Sequence, residues 1–174
     1  MDTLVRSVAS AAEFRAALEV NRAAWRDAYA DILPADRLDA MTVPSGAALQ
    51  TRYERAKGED RAFLVAVDRA PGAVVGFADV VWGDGRKAFC EAGDADLRAI
   101  YVHPDRQGSG VGTALLDALV ARVPDQFDRL ALETFEANDA ARGFYEARGF
   151  ERVGSSAFEA WDGSYPTAVY ARPL

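Results

Sequence analysis

Residues 101–116 read Tyr-Val-His-Pro-Asp-Arg-Gln-Gly-Ser-Gly-Val-Gly-Thr-Ala-Leu-Leu, and this stretch sets the fold. An apolar strand ends at Val102, and Pro104 breaks it. Glycines then alternate at Gly108, Gly110 and Gly112. From Val111, apolar residues recur at helical period through Leu115, Ala118 and Leu119 until Pro124. The pattern is strand, tight loop, helix. Alternate glycines leave the backbone N–H groups of Gln107, Gly108, Ser109, Gly110, Val111, Gly112 and Thr113 uncovered, where a helix N-terminus adds partial positive charge. That is a seat for phosphate oxygens. The plainer reading of the same glycines is a tight turn.

Two common phosphate loops do not fit the spacing. A P-loop ends in Gly-Lys-Ser/Thr, whereas this loop continues Gly112-Thr113-Ala114 and holds no lysine. A dinucleotide fingerprint wants glycine three places after Gly110, where Thr113 stands, and it usually opens its domain rather than lying past the middle.

The 174 residues suit one domain, expected over 1–174, with an adequate core. Hydrophobic residues make up 50% and charged residues 27%, the balance of a globular chain. No basic leader with an apolar stretch opens the sequence, and the longest apolar run, Ala62 to Val67, is far too short to span a bilayer. The cytoplasm is the expected compartment, with no membrane partner. The lone Cys90 forms no internal disulfide, and with the lone His103 it makes no usual zinc set, so no metal is expected. A net charge of −7 argues against nucleic acid as a partner and would suit a cationic acceptor.

Along the chain, Leu4, Val5 and Val8 suggest a first strand. Ser10-x-x-Glu13 reads as a capping box for a helix reaching about Tyr29, with Phe14, Leu18 and Trp25 at helical spacing. Ile32-Leu33-Pro34 breaks it, and a second helix is expected over Pro44 to Lys57. Strands follow at Phe63 to Val67 and Val74 to Trp82, joined at Pro71-Gly72. A third strand, Asp96 to Val102, alternates Leu97, Ala99 and Tyr101 on one face with Asp96, Arg98, Ile100 and Val102 on the other. After the glycine loop and its helix come a strand at Leu130 to Thr134 and a short helix capped by Asn138 and stopped by Gly149. Phe150 to Val153 and Ala168 to Arg172 are the last strands, with a turn at Trp161 to Tyr165.

Gln107-x-x-Gly110-x-Gly112 after a Tyr-Val-x-Pro strand end resembles the coenzyme A pyrophosphate loop of the GNAT N-acetyltransferase superfamily. Asn138-x-x-Ala141-x-x-x-Tyr145 with Gly149-Phe150 after it resembles the other half of that signature. Trp25-x-x-x-Tyr29 with Leu33-Pro34 is more loosely similar to the small-molecule acetyltransferases of the superfamily. The resemblance implies an α/β (α+β) GNAT fold: a mixed, mostly antiparallel sheet of six to seven strands, splayed to admit coenzyme A and flanked by about four helices.

For chemistry, the resemblance implies direct attack of a small-molecule or peptide amine on acetyl-CoA. The cofactor's amide-rich arm would pair with the backbone of Ile100 and Val102 as an added strand, and Ile100 N–H would face the acetyl oxygen, where negative charge grows. Tyr145 stands at the general-acid position. Asp96 matches the position of a carboxylate base, with Glu133 as the competitor. Asn138 would bind the cofactor arm, and Arg106, Arg142 and Arg148 are candidate partners for its phosphates. Trp25 and Tyr29 fall where acceptor pockets are built. Pairing of terminal strands into a homodimer is a further expectation, and a noncatalytic acyl-CoA-binding or sensing module is the alternative function.

Overall fold

The computed structural model describes residues 3–174, so the domain expected over 1–174 is seen from Thr3 onward. Its elements are β1 (Thr3–Ser7), α1 (Ala11–Ala28), α2 (Ala35–Asp39), α3 (Gly46–Ala56), β2 (Arg61–Asp68), β3 (Val74–Val81), β4 (Asp94–Val102), α4 (Val111–Val120), β5 (Arg129–Phe135), α5 (Asp139–Glu146), β6 (Glu151–Ala160) and β7 (Gly163–Pro173). A single 3-10 turn, Pro104–Arg106, joins β4 to the glycine loop. The strands form one seven-stranded sheet in the order β1-β2-β3-β4-β5-β7-β6. Every neighbouring pair is antiparallel except β4 and β5. This is the mixed α/β sheet the sequence implies, with α2 as an additional short helix just after Pro34.

Local chemistry explains most boundaries. Ser10 Oγ accepts the Glu13 N–H at 3.1 Å and caps α1. Glu13 reaches back to the N–H of Ala9 rather than to that of Ser10, and it pairs with Arg6. Asn138 Oδ1 accepts the Ala141 N–H at 3.1 Å to cap α5, and Gly149 ends that segment at φ +83°. The last hairpin is longer than the sequence suggests. Its turn is only Trp161-Asp162, both at positive φ (52° and 62°), the backbone of a type I′ turn that matches the strand twist.

Helices cover both faces of the sheet. On one face α4 packs Val111, Leu115, Leu116 and Leu119 against Leu64, Ala78, Val80 and Leu97. On the other, α1 and α3 bring Phe14, Val20 and Tyr53 against Phe63 and Phe77. Gly76 on β3 lets α4 approach: a Cβ there would lie 3.1 Å from Leu115 Cδ1 and 3.2 Å from Val111 Cγ1. Among the described residues, no helix is long and apolar enough to cross a membrane.

The strand that borders the cleft departs from simple alternation. Asp79 pairs with Ala99 and Val80 with Leu97, so Arg98 is a bulged extra residue. The bulge shifts the pattern by one, so Leu97 shares the α4 face with Ile100 and Val102, while Ala99 and Tyr101 face α1. The strict alternation read from the sequence is corrected in this way. Leu115 is fully buried at the centre of the α4 contact. Leu115→Ala is expected to cost about 3 kcal/mol. It should appear as a lower urea midpoint with an unchanged slope.

Candidate active site

β4 and β5 pair over only three residues, Asp94 to Asp96 against Arg129 to Ala131, and then separate. His103 N–H donates to Val75 O at 2.8 Å, which sets the strand's phase. Amides at odd positions turn toward β3, and those of Ile100 and Val102 turn toward the edge that β5 has left. The gap is a cleft of about 360 Å³. One wall is β4 from Leu97 to Val102, and the other is Glu133 and Thr134 of β5 with Asn138, Phe144 and Tyr145 of α5. Gln107, Gly108 and Gly112 line it from the glycine loop, and Ala24, Ala28 and Tyr29 line it from α1.

The glycine loop sits at its end of the cleft with its amides free. Among the described residues, no N–H from Gly108 to Thr113 meets an acceptor in the protein, whereas Gln107 N–H is taken by Pro104 O at 3.3 Å. Gly108 and Gly110 hold φ of +71° and +85°, a conformation that side-chain-bearing residues rarely adopt. Gly110 is also the N-cap of α4, so the free amides coincide with the positive end of a ten-residue helix. A Cβ on Gly112 would sit 3.2 Å from the Phe144 ring, so this glycine lets α5 close over the first turn of α4.

The cations distribute unevenly around this loop. Arg148 stacks on Phe144 at 3.7 Å and donates to Thr113 Oγ1 at 2.5 Å through Nη2, which puts a guanidinium beside the α4 N-terminus. Arg106 instead pairs with Asp68. Arg142 donates to Glu136 O and pairs with Asp139. Gln107 Nε2 reaches Val102 O at 3.4 Å, and Ser109 Oγ donates to Arg106 O at 2.6 Å.

At the middle of the cleft, Tyr145 is 9% exposed, and its hydroxyl makes no hydrogen bond to the protein among the described residues. Burial, with a smaller effect of Tyr101, pushes its phenol above the ordinary value of 10.0, so it stays protonated at neutral pH. Glu133 Oε1 accepts Lys87 Nζ at 2.5 Å, and Oε2 accepts Thr167 Oγ1 at 3.0 Å. Asp96 does not enter the cleft. It is fully buried, and its Oδ2 takes Arg98 Nε at 2.6 Å and the Lys87 N–H at 2.9 Å.

Of the residues that the sequence nominates, Ile100, Val102, Gln107, Gly108, Gly112, Asn138, Tyr145 and Tyr29 come together on the cleft. Ser109, Gly110, Val111 and Thr113 do not line the cleft, and the Val111 side chain is buried between α4 and the sheet. Trp25 packs behind Tyr29, at 5.1 Å between ring centres, and does not line the cleft. Tyr29 Oη and Tyr101 Oη are 3.0 Å apart. No local pattern singles out Arg98 or Lys87, since one is a bulge residue and the other lies on a loop without a motif.

The sequence model described as the Acetyltransferase (GNAT) family matches residues 20–150. The chain belongs to that family. A mycothiol acetyltransferase of Kocuria rhizophila is 34% identical over 110 residues, which is 60% of this chain and 34% of that protein. An L-methionine sulfoximine/L-methionine sulfone acetyltransferase of Pseudomonas aeruginosa is 36% identical over 92 residues, 52% of this chain and 51% of that one. The chain thus spans between a third and about half of these two relatives. Among solved structures, a GNAT superfamily phosphinothricin acetyltransferase of Sinorhizobium meliloti in complex with AcCoA is 27% identical. It superposes with a TM-score of 0.71, covering 100% of this chain and 89% of that one. The PaiA N-acetyltransferase of Thermoplasma acidophilum in complex with coenzyme A shares the fold at 20% identity, with a TM-score of 0.70 and full coverage of both chains.

Cys90, the chain's one cysteine, lies on the 83–93 loop and is half-buried. Burial, then the nearby Asp96 and Asp94, push its thiol up to about 12. It should therefore react with an aromatic disulfide reagent at pH 8 at least about a hundredfold more slowly than in the urea-unfolded chain, because the thiolate is the reactive form. Equal rates would remove this account.

Proposed function

We propose that the chain is an acetyl-CoA-dependent N-acetyltransferase that acts on a primary amine of a small molecule or peptide by direct attack. The observation that carries this reading is the run of free amides from Gly108 to Thr113, opening onto a cleft that also holds Glu133 and Tyr145. The names of the relatives and the AcCoA-bound neighbour support it.

The residues present fit the cofactor. The free amides and the α4 N-terminus suit its diphosphate, and Arg148 is the cation beside them. The open β4 edge at Ile100 and Val102 suits an amide-bearing arm, and Asn138 keeps its side-chain N–H₂ for that arm while Oδ1 caps α5. When bound, acetyl-CoA supplies an acetyl thioester. Ile100 N–H, turned toward the cleft, is the fixed donor for the oxygen on which charge grows.

Proton transfer falls to two side chains. An aliphatic amine has a pKa of about 10, so near pH 7 nearly all of it is protonated and unable to attack. Glu133 is the carboxylate that reaches the cleft; it takes the proton of the bound ammonium so that the nitrogen lone pair can attack, and the second N–H proton, shed once the N–C bond has formed, replaces the one that Tyr145 gives up. Asp96, buried and tied to Arg98, holds the 83–93 loop instead. Tyr145, kept neutral by burial, gives its proton to the departing sulfur as the C–S bond breaks. A noncatalytic acyl-CoA-binding module would need neither group in the cleft.

Gly110→Val should weaken acetyl-CoA binding by about a hundredfold or more in calorimetry, since a branched residue is strained at φ +85° and covers the seat. Unchanged affinity would falsify the loop assignment. Tyr145→Phe should lower kcat about a hundredfold with little change in KM for acetyl-CoA. Glu133→Gln should lower kcat/KM for the amine by a similar factor, and its rate should climb with pH toward the amine's pKa of about 10 as free amine accumulates. Asp96→Asn should keep the shape of the wild-type pH profile; a profile shifted in Asp96→Asn and not in Glu133→Gln would exchange their roles.

A further inference from the structure

At the end of the cleft away from the glycine loop, where Arg98 and Glu133 line it, charged side chains pack beside one another in cation–carboxylate pairs. Lys87 Nζ meets Glu133 Oε1 at 2.5 Å. Asp96 Oδ2 accepts both Arg98 Nε and the backbone N–H of Lys87, so one buried carboxylate fixes the arginine and the root of the lysine. Behind them Arg61 Nη2 meets Asp79 Oδ2 at 2.5 Å. Each cation has a carboxylate, so the cluster is neutral as it stands.

Exposure breaks that symmetry. The side chains of Lys87 and Arg98 are 38% and 33% exposed, whereas those of Glu133 and Asp96 are 14% and 1%. The carboxylates lie underneath and the cations outside. Arg98 uses Nε on Asp96 and Nη2 on Gly85 O, and its Nη1 has no partner in the protein among the described residues. A ligand entering here meets an ammonium and an unspent guanidinium face before it reaches the carboxylate.

Resting on the acetyltransferase reading above, we propose that the acceptor is an amine with an anionic group close to its nitrogen, an α-amino acid or a near analogue. Lys87 and Arg98 hold the anion, and Glu133 faces the amino group. A simple amine arrives as a cation and adds charge to a half-buried neutral cluster whose outer groups are already positive, and a polyamine adds more. A zwitterion adds none. Its carboxylate matches the free donors of Arg98, and its ammonium shares Glu133 with Lys87. The chain's net charge of −7, which by itself would suit a cationic acceptor, is therefore not the charge felt at this end of the cleft.

The test is thiol release from acetyl-CoA with the twenty L-amino acids, their carboxamides and the matching decarboxylated amines, with polyamines and short peptides beside them. At least one amino acid should be acetylated with kcat/KM about tenfold or more above its carboxamide and its amine, the difference lying in KM. Lys87→Met and Arg98→Met should each bring that ratio to within about threefold by raising KM for the acid alone. The ratio cancels any change in the strength of Glu133 as a base, and Lys87→Met leaves the buried Asp96–Arg98 pair intact should Arg98→Met fail to fold. A wild-type preference for the uncharged or polycationic acceptors, or a ratio unmoved in Lys87→Met, overturns the inference and leaves acetyl transfer standing. Absence of thiol release with every acceptor overturns both.

Discussion

The parallel ladder between β4 and β5 lasts three residue pairs, and the cleft exists because it stops there. The Arg98 bulge lies just past the last pair, and a bulge bends and twists its strand. Beyond it β4 keeps its hydrogen bonds to β3 while its other edge runs free beside β5. A free edge ordinarily invites another strand. Here it is walled by α5 and roofed at one end by the glycine loop, so only a narrow, extended ligand can use it. The same divergence sets Glu133 and Tyr145 on the wall opposite Ile100.

Electrostatics hold the other end. The 83–93 loop has no regular structure, yet it is bound to the sheet by buried or half-buried pairs. Asp94, paired with Arg129 of β5 through both oxygens, takes the Glu91 N–H, Asp96, paired with Arg98, takes the Lys87 N–H, and Arg86 donates to the carbonyls of Glu91, Ala92 and Asp94. Removing one partner of such a pair leaves a buried charge uncompensated, a cost of about 3–5 kcal/mol. The loop is thereby fixed well enough to deliver Lys87 to Glu133, and Asp96 contributes to the site through the loop it holds.

Much of this was legible from residues. The glycine spacing, the Asn138 cap and the Gly149 stop are local signals, each tied to one backbone conformation or one hydrogen bond, and α4 and α5 formed where they were expected. The glycine loop was readable as a unit because its residues are contiguous. Asp96 was a candidate base because its place on the strand matched a pattern, but a bulge two residues on, invisible in an apolar-polar alternation, decides which side chains reach the cleft. The short α2 after Pro34 and the long β6–β7 hairpin were missed for a related reason: α2 is too short to show a period, and the Trp161-Asp162 turn lacks the glycine or asparagine that usually announces it.

The sequence by itself determined the family, the order of the elements apart from the short α2, and the glycine loop before α4, since these depend on neighbours within a few positions along the chain. Tertiary structure alone decided which carboxylate lines the cleft, which arginine stands beside the glycine loop, and that Lys87 pairs with Glu133. Those are contacts between residues separated by 35 positions, as for Arg148 and Thr113, or by 46, as for Lys87 and Glu133. No local pattern encodes such a distance; only the closing of the sheet does.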